Sequence, residues 1–266
     1  MNVKMIRGVC SVCLAAFLAF PTSSLPSILA DTTVVSGNCG VNGSESSVTW
    51  KVDSKVLTIG GEGEMKNYSS SDETPWHEKA NDIDFIVIGK KVKSIGNNAF
   101  SELSNVTYSS ITIDGSETNE SKLEKIGVNA FHSNSCQTED GLKYVGNWLV
   151  GIESIGGDEI IVRDGTVGTA DFASGGNTLS LKTIVMPVGL KYIGTDFFSL
   201  FDSEKLEKVY IGGTKNRFES NSEVKKIPEN VEVYYRVIND NDFSVSGYDE
   251  NNYHVGSRPD FKAEVD

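Results

Sequence analysis

The apolar positions of this chain recur in steps that no single helix or strand would give. Leu181, Ile184, Met186, Leu190, Ile193 and Phe197 are separated by 3, 2, 4, 3 and 4 residues, and Ile83, Ile86, Ile88, Val92, Ile95 and Ala99 by the same steps. An amphipathic helix uses threes and fours alone, so the step of two predicts a short strand whose first and third side chains face one way. It falls in the β-branched triplet 86–88, and similar triplets stand at 111–113, 160–162, 184–186, 209–211 and 231–233. Their first residues lie 25, 49, 24, 25 and 22 positions apart. A period near 24 predicts stacked repeats, each one strand and a return path, because one repeat cannot bury its apolar face alone.

After the triplet a second phrase recurs: "KVKSIGNNAF" (91–100), "KIGVNAF" (125–131) and "YIGTDFF" (192–198). Gly96, Gly127 and Gly194 are expected to let the chain turn. The residues after them are expected to form one helical turn that packs Phe100, Phe131 and Phe197 or Phe198 inward. In the second repeat a polar loop, "DGSETNESK", separates Ile113 from Leu123. In the repeat at 160–174 two registers stay open. A gap-free alignment places Thr169 at the Ile position and Ser174 at the Phe position; a two-residue shift restores Val167 and Phe172. The last repeat lacks the glycine phrase, as a capping repeat does.

Alternation in "VTWKVDSKVLTI" (48–59) predicts a hairpin turning around Asp53-Ser54, with Trp50, Val52, Leu57 and Ile59 covering the first rung. Pro75 and Trp76 are expected to open a short helical turn whose indole packs against that cap. The interval of 49 is about two periods, and "NWLVGI" (147–152) is expected to add a strand of its own there.

These phrases resemble one family. "LKTIVMPVGLKYIGTDFF" (181–198) is similar to the repeat of BspA-type leucine-rich-repeat proteins, exported surface proteins of bacteria and some protists. "SGNCG…VTWKVDSKVLTIGGEGEM" (36–65) and "TPWHEKANDIDFIVI" (74–88) resemble the leader of such arrays, "GLKYVGNWLVGIE" (141–153) an insertion in them, and "VYIGGTKNRF…VEVYY" (209–235) their closing segment. The expected class is α/β: a leucine-rich-repeat solenoid with one short parallel strand per repeat and an N-terminal β-hairpin cap. The expected organisation is a signal peptide at 1–30, a capping region at 31–82, the solenoid at 83–235 and a tail at 236–266. That tail resembles the opening strands of an immunoglobulin-like module, but thirty residues cannot close a sandwich of about seven strands.

Lys4 and Arg7 precede the apolar run "VCSVCLAAFLAF" (9–20), and the segment ends on the small residue Ala30. This is the pattern of a secretory signal, and the run is shorter than the roughly 20 apolar residues that span a bilayer. The mature chain is therefore expected to be secreted or held at a bacterial cell surface, with no membrane span. Without Lys4 and Arg7, 22 basic residues face 37 acidic ones, a formal charge near −15. Such an excess repels nucleic acid and anionic lipid. Cys39 and Cys136 remain after cleavage; two free thiols are expected, with a single bridge between them the alternative.

Candidate chemistry is sparse. His77, His132 and His254 belong to no zinc pattern. "GGEGEM" and "IGGTKN" lack the Gly-Lys-Ser/Thr of a phosphate loop, and no Gly-x-Ser-x-Gly elbow is present. Cys136 with His132 is weak as a thiol nucleophile, having no third group. No catalytic residue, cofactor or metal is expected. The middle residues of the triplets, Val87, Thr112, Ile161, Val185 and Tyr210, should instead form a column on an exposed concave sheet, with Trp148 on the insertion beside it. The expected function is non-catalytic binding of an extracellular protein or glycan; the resemblance implies adhesion for some members of the family. The alternative is a carbohydrate-binding or spacer module of a larger secreted multidomain protein.

Overall fold

The β-branched triplets from 86 to 211 form strands, and Ile86 pairs in parallel with Ile111, Ile160 with Ile184 and Ile184 with Val209. The expected triplet 231–233 is shifted by two residues, Val233 and not Val231 lying beside Val209. The computed structural model describes residues 34–116, 118, 120–153, 155–174, 178–187, 189–214, 222–237 and 254–255. The leader at 1–30 lies outside them, as does the tail apart from 236–237 and 254–255.

The N-terminal part holds β1 (Val35–Asn38), β2 (Val48–Asp53), β3 (Val56–Gly61) and the short β4 (Gly63–Glu64). Two coils follow: β5 (Phe85–Ile88) with β6 (Val92–Ile95), then β7 (Ile111–Ile113) with β8 (Lys125–Ile126). The inserted segment forms β9 (Gln137–Glu139), β10 (Leu142–Val145) and β11 (Trp148–Ile152). Beyond it lie β12 (Glu159–Ile161), β13 (Gly168–Thr169), β14 (Thr183–Met186), β15 (Lys208–Thr214), β16 (Glu232–Val237) and β17 (His254–Val255).

The hairpin is present as β2 and β3, but Asp53 still pairs with Val56, so it turns one residue later than expected, through Ser54 and Lys55, both in the left-handed region (φ 48° and 71°). Two positive φ values give the turn a twist that matches its strands. Trp50, Val52, Leu57 and Ile59 are buried beneath it. β3 then pairs in parallel with β5, and β5 with β7, in the register Thr58–Val87–Thr112. Trp76 is fully buried at the start of its turn. Its ring meets Trp50 edge-on at 6.0 Å and stacks on Phe100 at 5.7 Å, while its indole N–H donates to the Ala99 carbonyl at 3.0 Å. A buried indole requires such a partner.

The continuous α/β solenoid is not what the chain builds. The fold is mostly β, and its strands lie in four separate sheets: β1-β2-β3-β5-β7, β4-β6-β8, β13-β11-β10-β9 and β12-β14-β15-β16-β17. The helical elements among the described residues are 3-10 turns of three to six residues. The ladder breaks at the insertion, where β9, β10 and β11 pair antiparallel with one another rather than extending β7. Parallel pairing resumes from β12 to β16, at Ile160–Ile184–Val209–Val233. The buried side chains divide accordingly. One large cluster includes Leu57, Ile86, Ile95 and Phe100, and another Leu149, Ile184, Phe197 and Val209. Apolar spacing specifies each coil, but the antiparallel hairpin interrupts the long ladder between β7 and β12, and its last strand, β11, pairs in parallel with β13 at Trp148–Gly168 and Leu149–Thr169 instead.

The glycine phrase also works differently from expectation. Gly96 and Gly194 are not needed for a left-handed turn; a β-carbon at 96 would collide with the Lys66 carbonyl, and one at 194 with the Ala170 carbonyl. Each glycine is the point where one coil lies against the coil before it. The left-handed residue stands two positions on, at Asn98 (φ 56°), Asn129 (φ 52°) and Asp196 (φ 61°), residue types that tolerate this region. The segment is thus a turn rather than a helical coil. It buries Phe100, Phe197 and Phe198, but leaves Phe131 half-buried.

Side chains lock these turns together. The Asn97 N–H donates to Asn67 Oδ1 at 3.0 Å, and the Val128 N–H to Asn97 Oδ1 at 2.9 Å. At 160–174 the gap-free register holds. Gly168 bridges to Tyr192, and Thr169 Oγ1 accepts from the Gly194 N–H at 2.8 Å, so buried Thr169 stands where the repeat places Ile. Phe172 still reaches Phe197, with ring centroids 5.8 Å apart.

Candidate functional site

Alternation along β5 sends Ile86 and Ile88 into the core, leaving Phe85 and Val87 on the opposite side. Phe85 is 48% exposed, a large apolar ring open to water. The parallel register places Val56 beside Phe85 and Thr58 beside Val87, with Thr112 on the far side of Val87. The outer face of β3, β5 and β7 therefore presents Val56, Thr58, Phe85, Val87 and Thr112 without a charge. Charge stands on β2, where Lys51 and Asp53 lie directly across from Thr58 and Val56 and pair with each other at 2.7 Å, and beside the hairpin turn, where Lys55 pairs with Asp84 at 2.8 Å. The Lys51 ammonium holds the Asp53 carboxyl below its ordinary range, and the Asp84 carboxylate raises Lys55.

The expected column is divided between two sheets. Val87 and Thr112 are adjacent in the first; Ile161, Val185 and Tyr210 are adjacent in the other long sheet. Ile161 is 48% exposed, but Val185 and Tyr210 are each 2% exposed, so the second half of the column is no open surface. Tyr210 stacks on Tyr234 with ring centroids 4.7 Å apart. Alternation assigns a side of a strand, not whether that side meets water. Trp148 is a core residue, 1% exposed. Its ring lies against Gly168 and stacks on Tyr192 at 5.7 Å, where a side chain at 168 would leave no room. Phe85 went unnoticed because it precedes the triplet. Its spacing of two from Val87 was the signal.

A second constellation was not foreseen. Asp72, in the 3-10 turn Ser71–Glu73, His77, which begins the turn His77–Asp82, and Glu102 bring one ligand atom each within 4.8 Å of one another. His77 Nδ1 lies 2.6 Å from Glu102 Oε2, and the other Glu102 oxygen accepts from Thr74 Oγ1 at 2.9 Å. The hydrogen bond to Glu102 raises the His77 pKa. No local spacing announces this group, since one coil of chain separates Glu102 from the other two.

Cys39 and Cys136 are free, and burial pushes them up to about 12 and about 11. Cys136 Sγ donates to the backbone carbonyl of His132 at 3.6 Å, not to an imidazole. Among the described residues no helix is long and apolar enough to cross a membrane.

No family model and no curated protein matches the sequence. Among solved structures, the chain is similar to a leucine-rich repeat protein from Eubacterium ventriosum, at 15% identity and a TM-score of 0.28 over 68% of this chain and 74% of that one.

Proposed function

We propose that this chain is an exported, non-catalytic binding protein that engages an extracellular protein through the outer face of its first sheet. One observation carries the reading. Phe85 stands in water beside Val56 and Val87, on a sheet whose other face already fills a core. A surface chosen for solubility alone would place charge on that face. On this face the charge is held by β2, in the Lys51–Asp53 pair, while β3, β5 and β7 present none. The leader supports export, and the phrase shared with BspA-type surface proteins supports adhesion to host or neighbouring-cell proteins. A glycan partner is less favoured, because Trp50, Trp76 and Trp148, the residues best suited to stack on sugars, are buried.

The test is biolayer interferometry of the purified chain against immobilised extracellular-matrix proteins and cell-wall components, with a glycan array in parallel. Saturable binding to at least one protein is expected. Hits confined to the glycan array would overturn this reading in favour of a carbohydrate-binding module, and an absence of binding throughout would also contradict it.

A further inference from the structure

We propose that Asp72, His77 and Glu102 form a binding site for a divalent transition cation of the Zn2+ type, which fastens the segment 70–82 to the coil at 98–102. The donor set is one imidazole nitrogen and two carboxylate oxygens, all within 4.8 Å of one another. An ion about 2.0–2.2 Å from each donor would take the place of the 2.6 Å hydrogen bond between His77 Nδ1 and Glu102 Oε2, with these two side chains parting and Asp72 drawn in. Three protein ligands leave a fourth position for water, a familiar zinc arrangement.

Two features pre-organise the set. His77 follows Trp76, whose buried ring and indole hydrogen bond to Ala99 fix the segment on the coil that carries Glu102. Glu102 is oriented from behind by the hydroxyl of buried Thr74 at 2.9 Å, the kind of outer contact that steers a metal ligand. Glu78 adds negative charge around the imidazole. The nitrogen donor separates the expected ion from Mg2+ and Ca2+, which take oxygen ligands and need more of them. The site is independent of the outer sheet face, and no local motif in the sequence marks it.

The test is isothermal titration of the full chain, stripped with chelator and kept reduced, using ZnCl2, then MgCl2 and CaCl2. One saturable Zn2+ site is expected, with His77→Gln and Glu102→Gln each weakening it at least tenfold and His132→Gln leaving it unchanged. The His77 Nδ1 resonance in a long-range 15N spectrum should move on Zn2+ addition, and saturating Zn2+ should raise the Tm of wild type but not of His77→Gln. Circular dichroism of the variants establishes that they are folded. No saturable Zn2+ uptake by wild type would overturn the proposal, as would undiminished affinity in folded His77→Gln or loss of the site in His132→Gln.

Discussion

Gly96 rests on the carbonyl of Lys66, so closely that a β-carbon at 96 would overlap that oxygen. The obstacle is backbone, which cannot swing aside as a flexible side chain would. Gly96→Ala should therefore destabilise the protein by about 1–3 kcal/mol, the usual cost of overpacking. Urea unfolding measures it. Gly156→Ala is the control, because a β-carbon there meets nothing within 4 Å; its effect should stay within about 0.5 kcal/mol.

Trp76 joins the N-terminal cap to the first coil by its ring and by its N–H. Trp76→Phe keeps much of the ring volume but removes the donor that the Ala99 carbonyl accepts. A loss of about 1–3 kcal/mol is expected from that group alone. Trp76→Ala should cost about 3–5 kcal/mol by opening a cavity as well. Equal urea midpoints for wild type and Trp76→Phe would show that the hydrogen bond is dispensable.

Asn67 and Asn97 pass acceptors from one turn to the next. Asn97→Ala removes the oxygen that the Val128 N–H uses, and should cost about 1 kcal/mol. Asn97→Asp preserves an acceptor and should retain most of that stability. If the two variants melt together, the bond to Val128 contributes little.

The Cys39 thiol, pushed up to about 12 by burial, keeps its proton where the unfolded chain, with an ordinary value of 9.0, releases it. Because the folded value is the raised one, stability from this group is full below the unfolded value and declines as pH climbs towards 12. Buried Tyr68 is raised in the same sense. Urea midpoints at pH 8 and pH 10.5 should fall for wild type and fall less for Cys39→Ala. An unchanged pH slope in Cys39→Ala would remove Cys39 from the explanation.

The triplets from 86 to 211 could be read as strands, because β-branched side chains two apart and a near-constant interval leave few other ways to bury one face. The last was placed two residues early, since Val231 and Val233 are both buried and alternation alone does not choose between them. The break at β9–β11 was not legible. Its alternation predicts a hairpin as well as it predicts a rung, and apolar spacing does not say which neighbour a strand will pair with. Val87 and Thr112 were found because periodicity assigns them to the outer face. The burial of Val185, Tyr210 and Trp148 was missed because it depends on what packs over that side, which periodicity does not encode. The Asp72–His77–Glu102 group was invisible for a related reason: Glu102 meets His77 only after a full coil has returned the chain to the same place.

The binding face is tested most directly by comparing a double variant, Phe85→Lys with Val87→Lys, against Ile161→Lys for affinity to whichever protein the wild-type chain captures in the interferometry panel. Both should fold, as judged by circular dichroism and urea unfolding, since Phe85 and Ile161 are each 48% exposed and Val87 points away from the core. The double variant should bind at least tenfold more weakly while Ile161→Lys binds as wild type does. Wild-type affinity in the folded double variant would contradict the account.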